Sequence, residues 1–200
     1  MNSTEKGRHE TAHGQGGCRR GKSSFNMHDP ALVFGELKLK AGDVFLDLGC
    51  GSGEYSLHAA GLIGEEGVVY ALDRSESHIT GLKSRADEES IENITAAAAD
   101  ITGQLPIDDA YVDVCLLATV LHIPDITRRA KDLCTEIRRV LKPDGRLAVI
   151  ECHKKALPFG PPEHIRLFPA EVKGLITQCG FTVVSEVDLG YNYMIQFGVE

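Results

Sequence analysis

Residues 44–56, VFLDLGCGSGEYS, run an apolar stretch straight into three alternating glycines and then into residues that suit a helix. Gly49, Gly51 and Gly53 let the backbone turn tightly, and they leave main-chain N–H groups free at the positive end of that helix. A turn of this kind belongs to sheets whose strands are joined through helices, so it narrows the chain to the α/β class at once. It also suits a polar ligand. The dinucleotide spacing G-x-G-x-x-G is not met, because Glu54 stands where the third glycine is needed, and an acid in the first helical turn repels a pyrophosphate.

The rest of the chain repeats the same rhythm. Short apolar runs at 44–48, 67–72, 94–98, 112–118 and 146–151 read as strands buried on both faces. Between them the spacing predicts helices. The longest covers 125–142, capped by Asp125, with Ile126, Ala130, Leu133, Ile137, Val140 and Leu141 on one face. Ser75 opens a helix carrying Ile79 and Leu82, and Gly180 closes one carrying Val172, Leu175 and Ile176. A further helix starts at Pro30 with Leu32, Val33 and Leu37 on one side. Strand–helix alternation implies parallel strands with helices on both faces, while FTVVSEVDL and YNYMIQFGV, parted by Gly190, imply a closing antiparallel hairpin.

Two hundred residues suffice for one domain, expected at 25–200 after a flexible Gly-, His- and Arg-rich arm at 1–24. A net charge of −8 argues against holding a polyanion, so no nucleic-acid partner is expected. The apolar runs fall short of the roughly 20 residues that span a bilayer, and MNSTEKGRHE has no apolar signal core. No membrane association is expected. Six scattered cysteines without a Cys-x-x-Cys pair fit a reducing cytoplasm.

The segment LDLGCGSG resembles the first motif of class I S-adenosylmethionine-dependent methyltransferases, and further matches follow in order. GVVYALDRSE ends at an acid, Asp73, twenty residues after Gly53; AAAADITGQLPIDDAYVDVCLLATVLHIP and LKPDGRLAVIE resemble the later motifs. The resemblance covers residues 30–200 and implies a Rossmann-like, doubly wound, seven-stranded sheet, mostly parallel with a C-terminal antiparallel hairpin, in three α/β/α layers. It implies S-adenosyl-L-methionine as cofactor, with Asp73 on the ribose hydroxyls, Asp100 at the adenine amino group and Ile101 against the ring. Asp47, Gly49, Cys50, Gly51, Ser52, Gly53, Arg74 and Ala118 complete the expected binding set. The implied reaction is in-line methyl transfer to a small or medium-sized acceptor, which requires alignment rather than a catalytic triad; the alternatives are a non-catalytic cofactor-binding module and, disfavoured by the glycine spacing, an NAD-binding oxidoreductase.

Acceptor residues are expected beyond the carboxyl ends of the strands. His122 and His153 follow the fourth and fifth strands, and either imidazole can take a proton from an acceptor or simply shape the site. Cys50, Cys115, Cys134 and Cys179 read as small buried or turn residues, leaving only Cys18 and Cys152 to meet at a thiophilic site. His9, His13, Cys18 and His28 match no tetrahedral zinc spacing, so no metal is expected. Phe25–Asp29 is expected to fold over the cofactor as a lid, the Pro-rich stretch 153–172 to wrap the mouth, and Tyr191 and Tyr193 to line an acceptor pocket or pack the last hairpin.

Overall fold

The computed structural model describes residues 23–157 and 159–200. Strand β1 (Val44–Leu48) is buried along its whole length and forms the middle of the sheet. It pairs in parallel with β2 (Val68–Asp73) on one side and β4 (Val112–Ala118) on the other. With β3 (Ile94–Ala98), β5 (Leu141–Cys152), β6 (Phe181–Asp188) and β7 (Asn192–Val199), the seven strands run in the order β3-β2-β1-β4-β5-β7-β6. The first five are parallel. β7 is antiparallel to both β5 and β6, which places the last strand inside the sheet and β6 at its edge.

Alternation along β1 divides the core. Val44, Leu46 and Leu48 face α5 (Ala130–Val140) through Leu133, Ile137 and Val140, while Phe45 faces the opposite layer with Tyr55, Ala59 and Ile63 of α2 (Glu54–Ile63). α1 (Pro30–Leu37) joins that second layer, and α6 (Pro169–Thr177) joins the first through Val172 and Ile176. α3 (Glu76–Glu88) packs Ile79 and Leu82 on Ala71 and Ala96. The side chains of Asp29 and Ser75 accept from the first-turn N–H groups of Ala31 and His78 and so start α1 and α3 where the sequence places them.

Four local readings are corrected. The helix expected over 125–142 divides into α4 (Pro124–Arg128) and α5, with Arg129 leaving helical geometry at φ −103°, ψ 18°. Its guanidinium instead donates to Asp100 Oδ2 at 3.1 Å and to the Thr102 carbonyl at 3.0 Å. Asp125 is not the cap; Ile123 holds that position, Pro124 opens the helix, and the Asp125 carboxylate accepts from Arg128 at 2.7 Å. β5 begins at Leu141, because Leu141 pairs with Val112 before the register jumps to Val114–Arg146, which turns LKPDG into an irregularity within the strand. In α1 the buried face is Val33, Phe34 and Leu37, and Leu32 is 42% exposed, since Phe34 is the larger payload one step further round.

Before α1 a 3-10 turn, Ser24–Met27, is capped by Ser23, whose hydroxyl accepts from the Phe25 N–H. Of the expected arm, residues 1–22 lie outside the described residues, while Ser24 is buried. The stretch after β5 is organised by one side chain. Arg166, only 2% exposed, donates to the carbonyls of His153, Lys155, Phe159 and Pro161 at 2.7–3.1 Å, which folds the loop back over the end of β5. No helix among the described residues is long and apolar enough to cross a membrane.

Candidate active site

The strand order reverses between the parallel strands β1 and β4, so the connections leaving these strands part and open a crevice beyond their carboxyl ends. A cavity of about 460 Å³ occupies it, within the roughly 300–1,000 Å³ usual for small-molecule sites. Its walls hold Gly49, Cys50, Gly51 and Ser52 from the turn, Asp73 at the end of β2 with Arg74 after it, Asp100 and Ile101 after β3, and Ala118 at the end of β4. Asp47 and Gly53, the other two residues expected there, do not line it.

The three glycines serve different ends. All have positive φ, but a Cβ on Gly49 would lie 2.6 Å from Val120 Cγ2, and one on Gly53 would lie 2.4 Å from Leu82 Cδ1. Those two allow close packing. A Cβ on Gly51 would meet nothing within 4 Å, so its missing side chain leaves room on the cavity side rather than against the protein.

Asp73 is held by its backbone surroundings: Oδ2 accepts from the Gly51 N–H at 3.0 Å and Oδ1 from the Ser75 N–H at 2.8 Å. Each oxygen keeps a second lone pair, the acceptor arrangement that a vicinal diol needs. Asp100 is similarly fixed, with Oδ1 accepting from the Thr102 N–H and hydroxyl and Oδ2 facing Arg129. The Thr102 hydrogen bonds, aided by Arg129, hold its carboxyl below the usual range. Ile101, Ile123 and Ile126 supply apolar wall beside it.

Asp47 sits behind the turn, 1% exposed, and accepts from the Ser56 hydroxyl at 2.6 Å. Burial pushes its carboxyl up to about 7, against the Ser56 hydrogen bond and with the help of Asp73 and Glu54. Burial, with the same nearby acids, also pushes the Cys50 thiol up, so this cavity-wall sulfur stays protonated and weakly nucleophilic. Glu54 does not stand bare at the helix start, because Ser52 donates to it at 2.6 Å and Arg85 at 3.3 Å.

Neither proposed base lines the cavity. His122 Nδ1 lies 2.7 Å from Glu151 Oε2 and its backbone N–H donates to Oε1 at 3.1 Å, so this buried pair braces the β4–α4 connection. His153 Nε2 lies 3.2 Å from Asp188 Oδ1, with the ring 5.3 Å from Tyr193. Tyr193 is buried and donates to the Leu167 carbonyl, whereas Tyr191 is 50% exposed and meets Phe159 edge-on at 5.0 Å. Cys115 and Cys134 are buried, Cys179 follows α6, and Cys152 is buried beside Asn192; Cys18, His9 and His13 lie outside the described residues. No group of three metal-binding side chains occurs among the described residues.

Several wall residues belong to no motif. Ser23 and Ser24, delivered by the 3-10 turn, line the cavity together with Tyr55 of α2, and Phe25 packs edge-on to Tyr55 at 5.1 Å. Thr119 lines it too, at φ 57°, a left-handed conformation that a β-branched residue rarely adopts and that marks strain at the rim. These contacts depend on long-range packing, and only the Phe25–Asp29 lid reading came near them.

Residues 39–192 match the family model described as a methyltransferase domain. The chain belongs to this family. Among methyltransferases of known structure, the S-adenosylmethionine-dependent enzyme from Aquifex aeolicus superposes with a TM-score of 0.82 at 26% identity, over 90% of this chain and 95% of that one. The demethylmenaquinone methyltransferase of Lactobacillus johnsonii is 30% identical over 140 residues, 68% of this chain and 56% of the relative. The 2-phytyl-1,4-naphtoquinone methyltransferase of Trichormus variabilis is 34% identical over 117 residues, 58% of this chain and 49% of the relative. The chain thus spans about half the length of these curated methyltransferases.

Proposed function

We propose that this methyltransferase-domain protein binds S-adenosylmethionine in the crevice between β1 and β4 and methylates a small acceptor of the quinol type. The observation that carries the reading is Gly51: the turn opens there onto a cavity whose next two walls present a doubly anchored carboxylate, Asp73, and a second one, Asp100. Bound there, the cofactor supplies a methyl group already activated by a sulfonium.

The residues fit that group. Asp73 accepts from the ribose hydroxyls with its remaining lone pairs, and Asp100 does the same for the adenine amino group. Ile101, Ile123 and Ile126 pack the base, and the turn from Gly49 to Ser52 takes the amino-acid end. Ser24 and the rim residue Thr119 help keep water from the reacting end. Cys50, kept as a neutral thiol, does not compete for the methyl group. The relatives named for quinone substrates support the acceptor class.

Calorimetry tests this. Tight binding of S-adenosylhomocysteine with no binding of NADH is expected, together with label transfer from methyl-labelled cofactor to 1,4-naphthoquinol. Binding of NADH, or of neither compound, overturns the cofactor assignment; binding without transfer to the quinol overturns the acceptor class.

A further inference from the structure

Methylation of a quinol releases one proton, and neither His122 nor His153 lines the cavity to receive it. A third histidine is connected to the wall. His28 follows the 3-10 turn, and its Nε2 lies 3.0 Å from the Tyr55 hydroxyl, which lies 3.2 Å from the Ser24 hydroxyl. Ser24 and Tyr55 both line the cavity, so two hydroxyls join its wall to the half-buried imidazole without a gap. The chain is held in place by packing. Ser24 and Tyr55 are 5% and 4% exposed, and Phe25 meets the Tyr55 ring edge-on at 5.1 Å. His28 Nδ1 is buried with no partner among the described residues, so Tyr55 alone of these orients the ring by a side-chain hydrogen bond.

Each link suits the passage of a proton. A hydroxyl takes a proton on a lone pair while giving up its own, and a neutral imidazole has one bare nitrogen to receive it. Burial holds the His28 imidazole below its usual range, against the pull of the neighbouring Asp29, so the ring is uncharged at neutral pH. Burial also pushes the Tyr55 phenol up, against the Ser24 hydrogen bond and with Asp47 of β1, Cys152 of β5 and Glu54 of α2 adding to it. Tyr55 therefore does not ionise by itself. It hands a proton on only while taking one.

We propose that Ser24, Tyr55 and His28 form a proton exit from the cavity, with His28 the terminal base for the acceptor's proton. As the acceptor bonds to the methyl carbon and the S–CH3 bond breaks with its electron pair left on sulfur, Ser24 takes the acceptor's proton, Tyr55 takes that of Ser24, and His28 Nε2 takes that of Tyr55. The positive charge lost at sulfur reappears on the imidazolium, where the Asp29 carboxylate favours it. The exit deepens the reading above by saying where the proton goes, and it rests on cofactor and acceptor meeting in this cavity.

Two measurements on the full chain test it. The single-turnover rate of methyl transfer to 1,4-naphthoquinol is expected to fall as pH drops through one step below about 6.5, the ordinary imidazole value. His28→Gln keeps a hydrogen-bonding partner for Tyr55 but cannot hold the proton; it is expected to bind S-adenosylhomocysteine as the wild type does, yet to lose about a hundredfold in rate together with that step. A folded His28→Gln that keeps the rate or the step overturns the exit. Should its melting curve show that it does not fold, Tyr55→Phe, which cuts the chain and keeps the ring, decides by the same two criteria. The second measurement needs no turnover: the imidazole nitrogen shifts of His28 in NMR are expected to show a bare Nε2 at pH 8 and a charged ring only below about pH 6.5. A hydrogen on Nε2 at pH 8 overturns the exit. Failure of the wild type to methylate the quinol overturns the acceptor class instead, and the nitrogen shifts then decide the exit alone.

Discussion

On the proposed reading, Asp73 is the residue on which cofactor affinity turns most directly. Its carboxylate is already oriented by the Gly51 and Ser75 N–H groups, so the protein spends little to present it. Asp73→Ala is expected to weaken S-adenosylhomocysteine binding by about 1–3 kcal/mol in calorimetry, the cost of hydroxyls left without acceptors. Asp47 is buried behind the turn, and its signature is pH. A folded-state value of about 7, above that of an ordinary carboxyl, means its protonated form is stabilised on folding. That contribution is complete below about pH 4 and is lost as pH rises through 7, on the order of a few kcal/mol. Asp47→Asn is therefore expected to flatten the fall in denaturation free energy between pH 4 and 8; an unchanged slope would assign it elsewhere. Legibility at this scale was uneven. The Gly turn, Asp73 and Asp100, whose chemistry is local to a motif, line the cavity, whereas the hold of Ser56 on the buried Asp47 carboxylate is visible only in the packed structure.

At the scale of elements, the β1–α2 turn couples ligand access to helix packing. Gly53 caps α2 at φ 83° with Leu82 of α3 against it, so Gly53→Ala combines a left-handed strain with a 2.4 Å clash. A loss of about 1–3 kcal/mol is expected in chemical denaturation. Strands β1, β3 and β4 were legible to the residue; β1 and β4 are runs of apolar side chains covered on both faces, whereas β3, at the sheet edge, is half exposed against that expectation. The break at Arg129 was not legible, because the periodicity of 126–141 is unbroken and the cause lies in Asp100 and Thr102, more than twenty residues away in sequence. The 3-10 turn at Ser24–Met27 was half legible: its apolar residues suggested a cover, but its hold on Tyr55 through Ser24 and His28 is tertiary.

For the molecule as a whole, alternation of strands and helices determined the sheet's architecture, and handedness rules left few ways to wind it. The closing hairpin was also visible, but its insertion was not: nothing local states that β7, rather than β6, lies against β5. The net charge of −8 suits the proposed binding of a cationic cofactor in a cavity lined by two carboxylates, a complementarity that acts on association more than on fold. The inner position of β7 has a kinetic consequence. Until Asn192–Val199 has been synthesised, β5 offers a bare flank of unpaired peptide groups and Tyr193, Ile195 and Phe197 are missing from the interior. A nascent chain can therefore wind its five parallel strands early, yet it keeps a sticky, open seam until β7 itself has left the ribosome.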